Sequence, residues 1–267
     1  MKNIKKIVAL LLAVVLTVAL AACGGSGAGK DDTPVLTMAT SPDFPPYEYK
    51  DGNKVVGIDA EVAQAIADKL GMKLEIVSID FDSIIAGVTA GKFDMGMSGL
   101  TITEERKASV DFSDPYANAV QAVIVREDSG INSIDDLYNV AADGTKTVKD
   151  DTMIGVQTST TGDIYASDDV ENDGFGGDHV TKYKTGADAV QALSSGKVNA
   201  VIIDNEPAKS FVAANQGLKI LEAPYVEEQY AIAFNKSNTE LNQKINAALK
   251  ELIADGTVQK IIDSYIK

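Results

Sequence analysis

One cysteine, one histidine and no tryptophan among 267 residues remove several chemistries at once. A single thiol forms no intramolecular disulfide, and a Cys-based zinc cage needs more ligands than Cys23 alone. His179 by itself rules out a multi-histidine metal site. Positive charge is also scarce: 24 Lys and Arg stand against 39 Asp and Glu, a formal net charge of −15. That balance excludes the basic stripe of a nucleic-acid surface and the polybasic face of a membrane-surface helix. Neither a metal nor a cofactor is expected. What remains, 45% hydrophobic and 24% charged residues, is the composition of a soluble globular chain. The length suits one or two domains with a substantial core.

Long apolar runs are limited to one. After Lys2, Lys5 and Lys6, the stretch 7–22 is interrupted only by Thr17. Sixteen residues fall short of the about 20 that span a bilayer, whereas a basic start, a short apolar segment and small residues before a break describe a signal peptide. The break reads Leu20-Ala21-Ala22-Cys23, and the sole cysteine stands where a bacterial lipobox, which this resembles, requires it. The expectation is a signal peptide over 1–22, lipidation of Cys23 with stable membrane anchoring, and a flexible Gly/Ser tether over 23–33. The mature chain is then extracytoplasmic. It would sit on the outer face of the cytoplasmic membrane, or in the periplasm of a host with an outer membrane.

Two familiar patterns fail on inspection. Gly24 to Lys30 fits a phosphate-binding loop, but Asp31 replaces the magnesium-holding hydroxyl and no strand precedes it. Asp169 to Gly174 resembles half an EF-hand, but Val180 stands where the bidentate glutamate is needed, so a solvated acidic loop is expected.

Beyond the tether, strand and helix patterns alternate. Strands are predicted at 35–40, 73–77, 94–97, 120–125, 153–156, 180–183, 200–203 and 230–234. Helices are predicted from Asp59, as N-cap, to the Gly71 stop, at 82–90, near 133–137, from Thr160, at 187–195, 209–215, 239–254 and 257–266. Such alternation implies an α/β protein with mainly parallel sheets.

The run Phe44-Pro45-Pro46-Tyr47-Glu48-Tyr49, Gly57-Ile58-Asp59 and Phe81-Asp82-Ser83 is followed by Gly91-Lys92-Phe93-Asp94. Then come Thr101-Ile102-Thr103-Glu104-Glu105-Arg106, Asp111-Phe112-Ser113-Asp114-Pro115-Tyr116, Gly155 to Gly162, and Ala200 to Asp204. In this order they resemble the amino-acid-binding family of extracytoplasmic solute-binding proteins of ABC importers, lipoprotein type. The resemblance implies the two-lobe periplasmic-binding-protein fold, or Venus flytrap. Each lobe is then a mainly parallel sheet flanked by helices, and two strands form the hinge. Lobe 1 would comprise 34–120 and 225–267, and lobe 2 121–224.

The residues carry a matching chemistry. A free amino acid brings a carboxylate and an ammonium on one carbon, and both must be paired when water is excluded. Arg106, just after the N-cap candidate Thr103, offers a planar fork for two charge-assisted bonds to a carboxylate. The turn Ser159-Thr160-Thr161-Gly162 between a strand and a helix offers free backbone N–H groups; the resemblance assigns the Thr161 N–H to the carboxylate. Asp204 ends an apolar strand, where a carboxylate is costly unless used, and matches the family's ammonium ligand. By the same resemblance the Gly99 carbonyl and Thr101 hydroxyl share the ammonium and carboxylate, while Phe44 and Phe81 sandwich the ligand side chain.

Ser41 stands where relatives binding cationic side chains or glutamine often carry Asp, and Asp43 and Gln157 could supply compensating acceptors. The expected ligand is therefore a polar or basic L-amino acid. It would be captured between the lobes by a monomer and delivered to ABC permease subunits. Two alternatives stand beside it: a free-standing amino-acid sensor subunit, and a dehydratase-like enzyme on the same fold. An enzyme needs a general acid over the substrate, for which Glu48 and Glu206 are the candidates. The expectation is no enzyme.

Overall fold

The computed structural model describes residues 33–266. The predicted signal peptide 1–22, Cys23 and the tether up to residue 32 lie outside the described residues. Among those described, no helix is long and apolar enough to cross a membrane.

The first part of the chain runs from β1 (Val35–Thr40) through a small antiparallel sheet of β2 (Asp43–Phe44), β3 (Glu48–Asp51) and β4 (Lys54–Val56). Helix α1 (Ile58–Leu70) and β5 (Lys73–Ser78) follow. After a 3-10 turn at Phe81–Ser83 come α2 (Ile84–Thr89), β6 (Met95–Gly96), α3 (Glu104–Ser109) and β7 (Asp111–Phe112). The long strand β8 (Ala117–Arg126) leads into the hairpin of β9 (Tyr138–Val140) and β10 (Lys146–Val148). Next are β11 (Ile154–Gln157), α4 (Thr161–Ser167), β12 (Val180–Tyr183), α5 (Gly186–Ser194), β13 (Ala200–Asp204) and α6 (Asn205–Ala214). The chain closes with β14 (Leu218–Ile220), β15 (Val226–Tyr230), β16 (Ala233–Phe234), α7 (Thr239–Ala254) and α8 (Thr257–Tyr265).

Two large sheets result. One has the order β5-β1-β6-β16-β7, and the other β12-β11-β13-β8-β14, with β15 also on β8. Both are mixed. Parallel pairing joins β5, β1 and β6 in one and β12, β11 and β13 in the other, where helices make the crossovers. Pairing is antiparallel wherever β8, β14, β15 or β16 takes part. The chain passes between the sheets twice, after β7 and after β15. The second passage splits the strand predicted at 230–234, because Tyr230 pairs with Ala117 of one sheet and Ala233 with Gly96 of the other.

Helix α1 shows how sequence becomes packing. Val62 and Ile66, one turn apart, are fully buried against the first sheet, each contributing about 1.5–3 kcal/mol of apolar burial. Gly71 ends the helix in the left-handed conformation at φ 66°, as its position implied. The N-terminus differs from expectation: the cap position is Gly57, not Asp59. Gly57 has φ 121°, and a Cβ there would lie 2.3 Å from the Tyr47 carbonyl oxygen, so only glycine fits this entry. Starting at Ile58 turns Asp59 onto the buried face. Its carboxylate accepts from the Tyr116 hydroxyl (2.7 Å) and the Gly99 N–H (2.9 Å). That brace ties α1 to the loop after β6, which carries two of the candidate site residues.

The acidic stretch 169–174 is a 3-10 turn and bend with Asp169, Glu171, Asn172 and Asp173 exposed, as expected of a solvated loop. The imidazole of His179 bonds the Thr152 carbonyl at 2.8 Å and serves the packing of the second sheet.

Candidate functional site: a polar cleft between the two sheets

A narrow cleft is lined by Ser41, Phe44, Phe81, Gly99, Thr101 and Arg106 from the first-sheet side and by Gln157, Thr160, Thr161 and Asp204 from the second, with Asp43, Glu48 and Ser98 completing it. All ten residues singled out from the sequence therefore meet at one place.

Each wall is placed by local structure. Arg106 lies in α3, whose N-cap Thr103 accepts from the Arg106 backbone N–H at 3.1 Å. The short helix aims the guanidinium inward, where Nη1 donates to the Thr101 carbonyl (2.7 Å) and Nη2 to the Ser159 carbonyl (3.0 Å) across the cleft. Its central carbon also stands 5.5 Å from the centre of the Phe81 ring. The side chain is buried, and burial lowers its pKa. Its hydrogen-bond partners are neutral carbonyls, and the negative charges of Glu228 and Asp204 oppose the effect of burial from a distance.

Gly99 sits at φ 50°, and a Cβ there would come within 2.8 Å of the Phe44 ring. Glycine at this position lets the ring close over the loop. Opposite, Thr160 caps α4 by accepting from the Asp163 N–H at 3.2 Å. Ser159 before it holds φ 64°, a left-handed conformation that glycine adopts without cost.

Asp204 ends β13 at the cap position of α6 but makes no capping bond. Its carboxylate instead accepts from the Tyr230 hydroxyl at 2.5 Å. Burial pushes its pKa up to about 7, and the negative charge of Glu228 adds to the rise. Also in the cleft, the Ser41 hydroxyl donates to Asp43 (2.9 Å), and Gln157 Nε2 lies 3.4 Å from the same carboxylate. Burial raises the Asp43 pKa as well. Glu48 accepts from the Ser98 hydroxyl at 2.6 Å, and burial followed by the charge of Asp59 pushes it well above the usual carboxylate range. Of the two general-acid candidates, Glu48 faces the cleft. Glu206 lies on a separate hinge-side pocket and pairs with Lys209 at 2.6 Å.

Residues 36–267 match the family of bacterial extracellular solute-binding proteins, family 3. The chain belongs to it. This family 3 chain is 37% identical over 261 residues to the arginine-binding extracellular protein ArtP of Bacillus subtilis (strain 168), with 96% of each covered. It is 29% identical over 283 residues to the ABC transporter glutamine-binding protein GlnH of the same organism, covering 98% of each. Among solved structures, an ancestral arginine-binding protein bound to arginine shares 40% identity at a TM-score of 0.75, covering 87% of this chain and 98% of that one. The arginine-, lysine-, histidine-binding protein ArtJ of Geobacillus stearothermophilus shares 34% at 0.76, covering 86% and 94%. The two-lobe fold is thus that of a family 3 solute-binding protein, and these relatives are named as binders rather than enzymes.

Several residues around the cleft carry no clear signal in the sequence. Ser98 links Ser41 to Glu48, and Gln121 and Glu228 stand behind Thr101 and Thr161. A faint signal exists for the last two. Gln121 interrupts the apolar run of β8, and in β15 Val226, Glu228 and Tyr230 alternate with exposed Glu227 and Gln229, which puts Glu228 on an inward face.

Proposed function

We propose that this chain captures a polar L-amino acid, with basic and amide side chains foremost, between its two lobes and delivers it to an ABC permease. The observation that carries the reading is the opposition of a buried guanidinium and a buried carboxylate across one narrow cleft. Arg106 suits an α-carboxylate and Asp204 an α-ammonium. Such charge-assisted bonds contribute about 1.5–3 kcal/mol each before ordering costs, and micromolar binding needs roughly 8 kcal/mol. The Thr161 N–H and Thr101 hydroxyl complete the two ends, and Phe44 and Phe81 flank the space between them. With Arg106 and Asp204 so engaged, Asp43 remains beside Ser41 and Gln157, a set of acceptors for a cationic or amide side chain. The names of ArtP and ArtJ support the basic reading, and an ancestral arginine-binding protein solved with glutamine supports the amide one.

The segments 34–120 with 225–267, and 121–224, would act as the two lobes, closing about the passages after β7 and β15. Cys23, lipidated, would hold the monomer at the outer face of the membrane within reach of its permease. The test uses a soluble form beginning near Asp31, unfolded and refolded to strip carried ligand. It is titrated calorimetrically with the proteinogenic L-amino acids, ornithine, citrulline and cystine. Micromolar or tighter binding of a few polar or basic amino acids, without turnover, is the expected result. Silence across the panel in a folded protein would overturn the reading.

A further inference from the structure

Behind the cleft, four polar side chains form a line that crosses from one sheet to the other. The Thr101 hydroxyl donates to Glu228 Oε2 at 3.0 Å. The same oxygen accepts from Gln121 Nε2 at 3.0 Å, and that nitrogen lies 3.2 Å from the Thr161 hydroxyl oxygen. Thr101, Gln121, Thr161 and Glu228 are all buried. Glu228 and Gln121 lie on the paired strands β15 and β8, next to the passages between the sheets, and neither lines the cleft.

We infer that Glu228 and Gln121 are positioning residues that fix the proton direction at two ligand-facing hydroxyls, making Thr101 an acceptor and Thr161 a donor. The inference rests on the amino-acid reading of the cleft. A threonine hydroxyl has one hydrogen and two lone pairs. Because Thr101 gives its hydrogen to Glu228, only lone pairs remain for the cleft, which suits an ammonium and repels a carboxylate. A carboxylate accepts only, so the Gln121 amide turns its NH₂ toward Glu228. The same NH₂ then donates to Thr161, whose own hydrogen is left to turn toward a carboxylate. Reversing the Gln121 amide would set its carbonyl oxygen against Glu228, which selects the orientation. Glu228 thereby acts on both ends of the ligand without touching it. The Arg106 guanidinium shares the arrangement, since it holds the Thr101 carbonyl at 2.7 Å on the other side of that residue.

Two double-mutant cycles test this, with L-arginine and L-glutamine as calorimetric probes of the refolded protein. Glu228→Gln and Thr101→Val should each weaken binding about tenfold, and the double variant no more than about twentyfold, because Glu228 acts through the Thr101 hydroxyl. Gln121→Met and Thr161→Val form the second cycle, with smaller single losses of about threefold and the same non-additivity. A merely structural role would multiply the losses to about a hundredfold in the first cycle, and that result overturns the inference, as does a Glu228→Gln affinity within twofold of wild type. Should Glu228→Gln fail to fold by circular dichroism, the Gln121–Thr161 cycle decides alone. Wild-type protein that binds neither probe nor any other amino acid would instead strike down the underlying reading, which keeps the two failures apart.

Discussion

The first-sheet wall of the cleft presents a cation held by neutral carbonyls, whereas the second-sheet wall presents a carboxyl group held by a phenol and crowded by another carboxylate. Arg106 donates to the carbonyls of Thr101 and Ser159, and the charges of Glu228 and Asp204 favour its charged form against burial. Asp204, near Glu228, has its pKa raised to about 7. It is thus poised between a neutral and a charged form until a cation arrives. The contrast teaches that the two ends of one ligand are met differently: the carboxylate end by a preformed charge, the ammonium end by a carboxylate whose ionisation the ligand itself completes.

The sharpest way to break this comparison is to remove the preformed charge. Arg106→Ala should weaken amino-acid binding by a hundredfold or more, in line with the about 2–5 kcal/mol lost when one partner of a buried charge pair is truncated. The thermal midpoint should change little. Near-native affinity would take the carboxylate away from Arg106.

Next in size, Asp204→Asn should cost amino acids about ten- to a hundredfold and their deaminated analogues far less, read by parallel titrations of both. Equal losses would remove Asp204 from the ammonium end. The wild-type protein should also show the linkage directly. Since the neutral acid must lose its proton to meet an ammonium, affinity should fall by up to about tenfold per pH unit below about 7. Calorimetric enthalpies near that pH should vary with the ionisation enthalpy of the buffer, and Asp204→Asn should abolish the variation.

The ligand-free fold should show the opposite side of the same titration. A carboxyl whose pKa rises on folding stabilises the fold while protonated, and that stability is lost as pH rises from its unfolded value near 4 toward its folded value. Asp204 at about 7 and Asp59 at about 6, both raised by burial, place the loss between roughly pH 4 and 7. The thermal midpoint of ligand-free protein should fall over that window, and Asp204→Asn should flatten the slope.

The smallest effect concerns the backbone of the second wall. Ser159→Gly should raise stability by roughly 0.5–1 kcal/mol in a denaturant titration, because glycine adopts the left-handed conformation without a Cβ clash. Lower stability would show that the φ 64° conformation is not strained.

Much of this was legible before any coordinates. The β1 and β12 strands, the α7 helix, the Gly71 stop and the Thr103 cap all follow local rules of periodicity and capping that the sequence states directly. What local rules missed are pieces with no period of their own. Two-residue strands such as β2 and β7 exist only because a partner strand lies alongside. The misplaced Asp59 cap is similar: an acidic residue before an apolar helix reads as a cap, until Tyr116 and Gly99, distant in sequence, claim its carboxylate.

The sequence alone determined the alternating α/β order, the acidic balance, and the candidate residues of the cleft, because residue type, spacing and resemblance are one-dimensional properties. Only tertiary structure decided that Glu228 and Gln121 stand behind Thr101 and Thr161, and that Asp204 shares its burial with a second carboxylate. Hydrogen-bond direction and pKa depend on neighbours brought together across more than a hundred residues of chain, and the dielectric between them is set by packing.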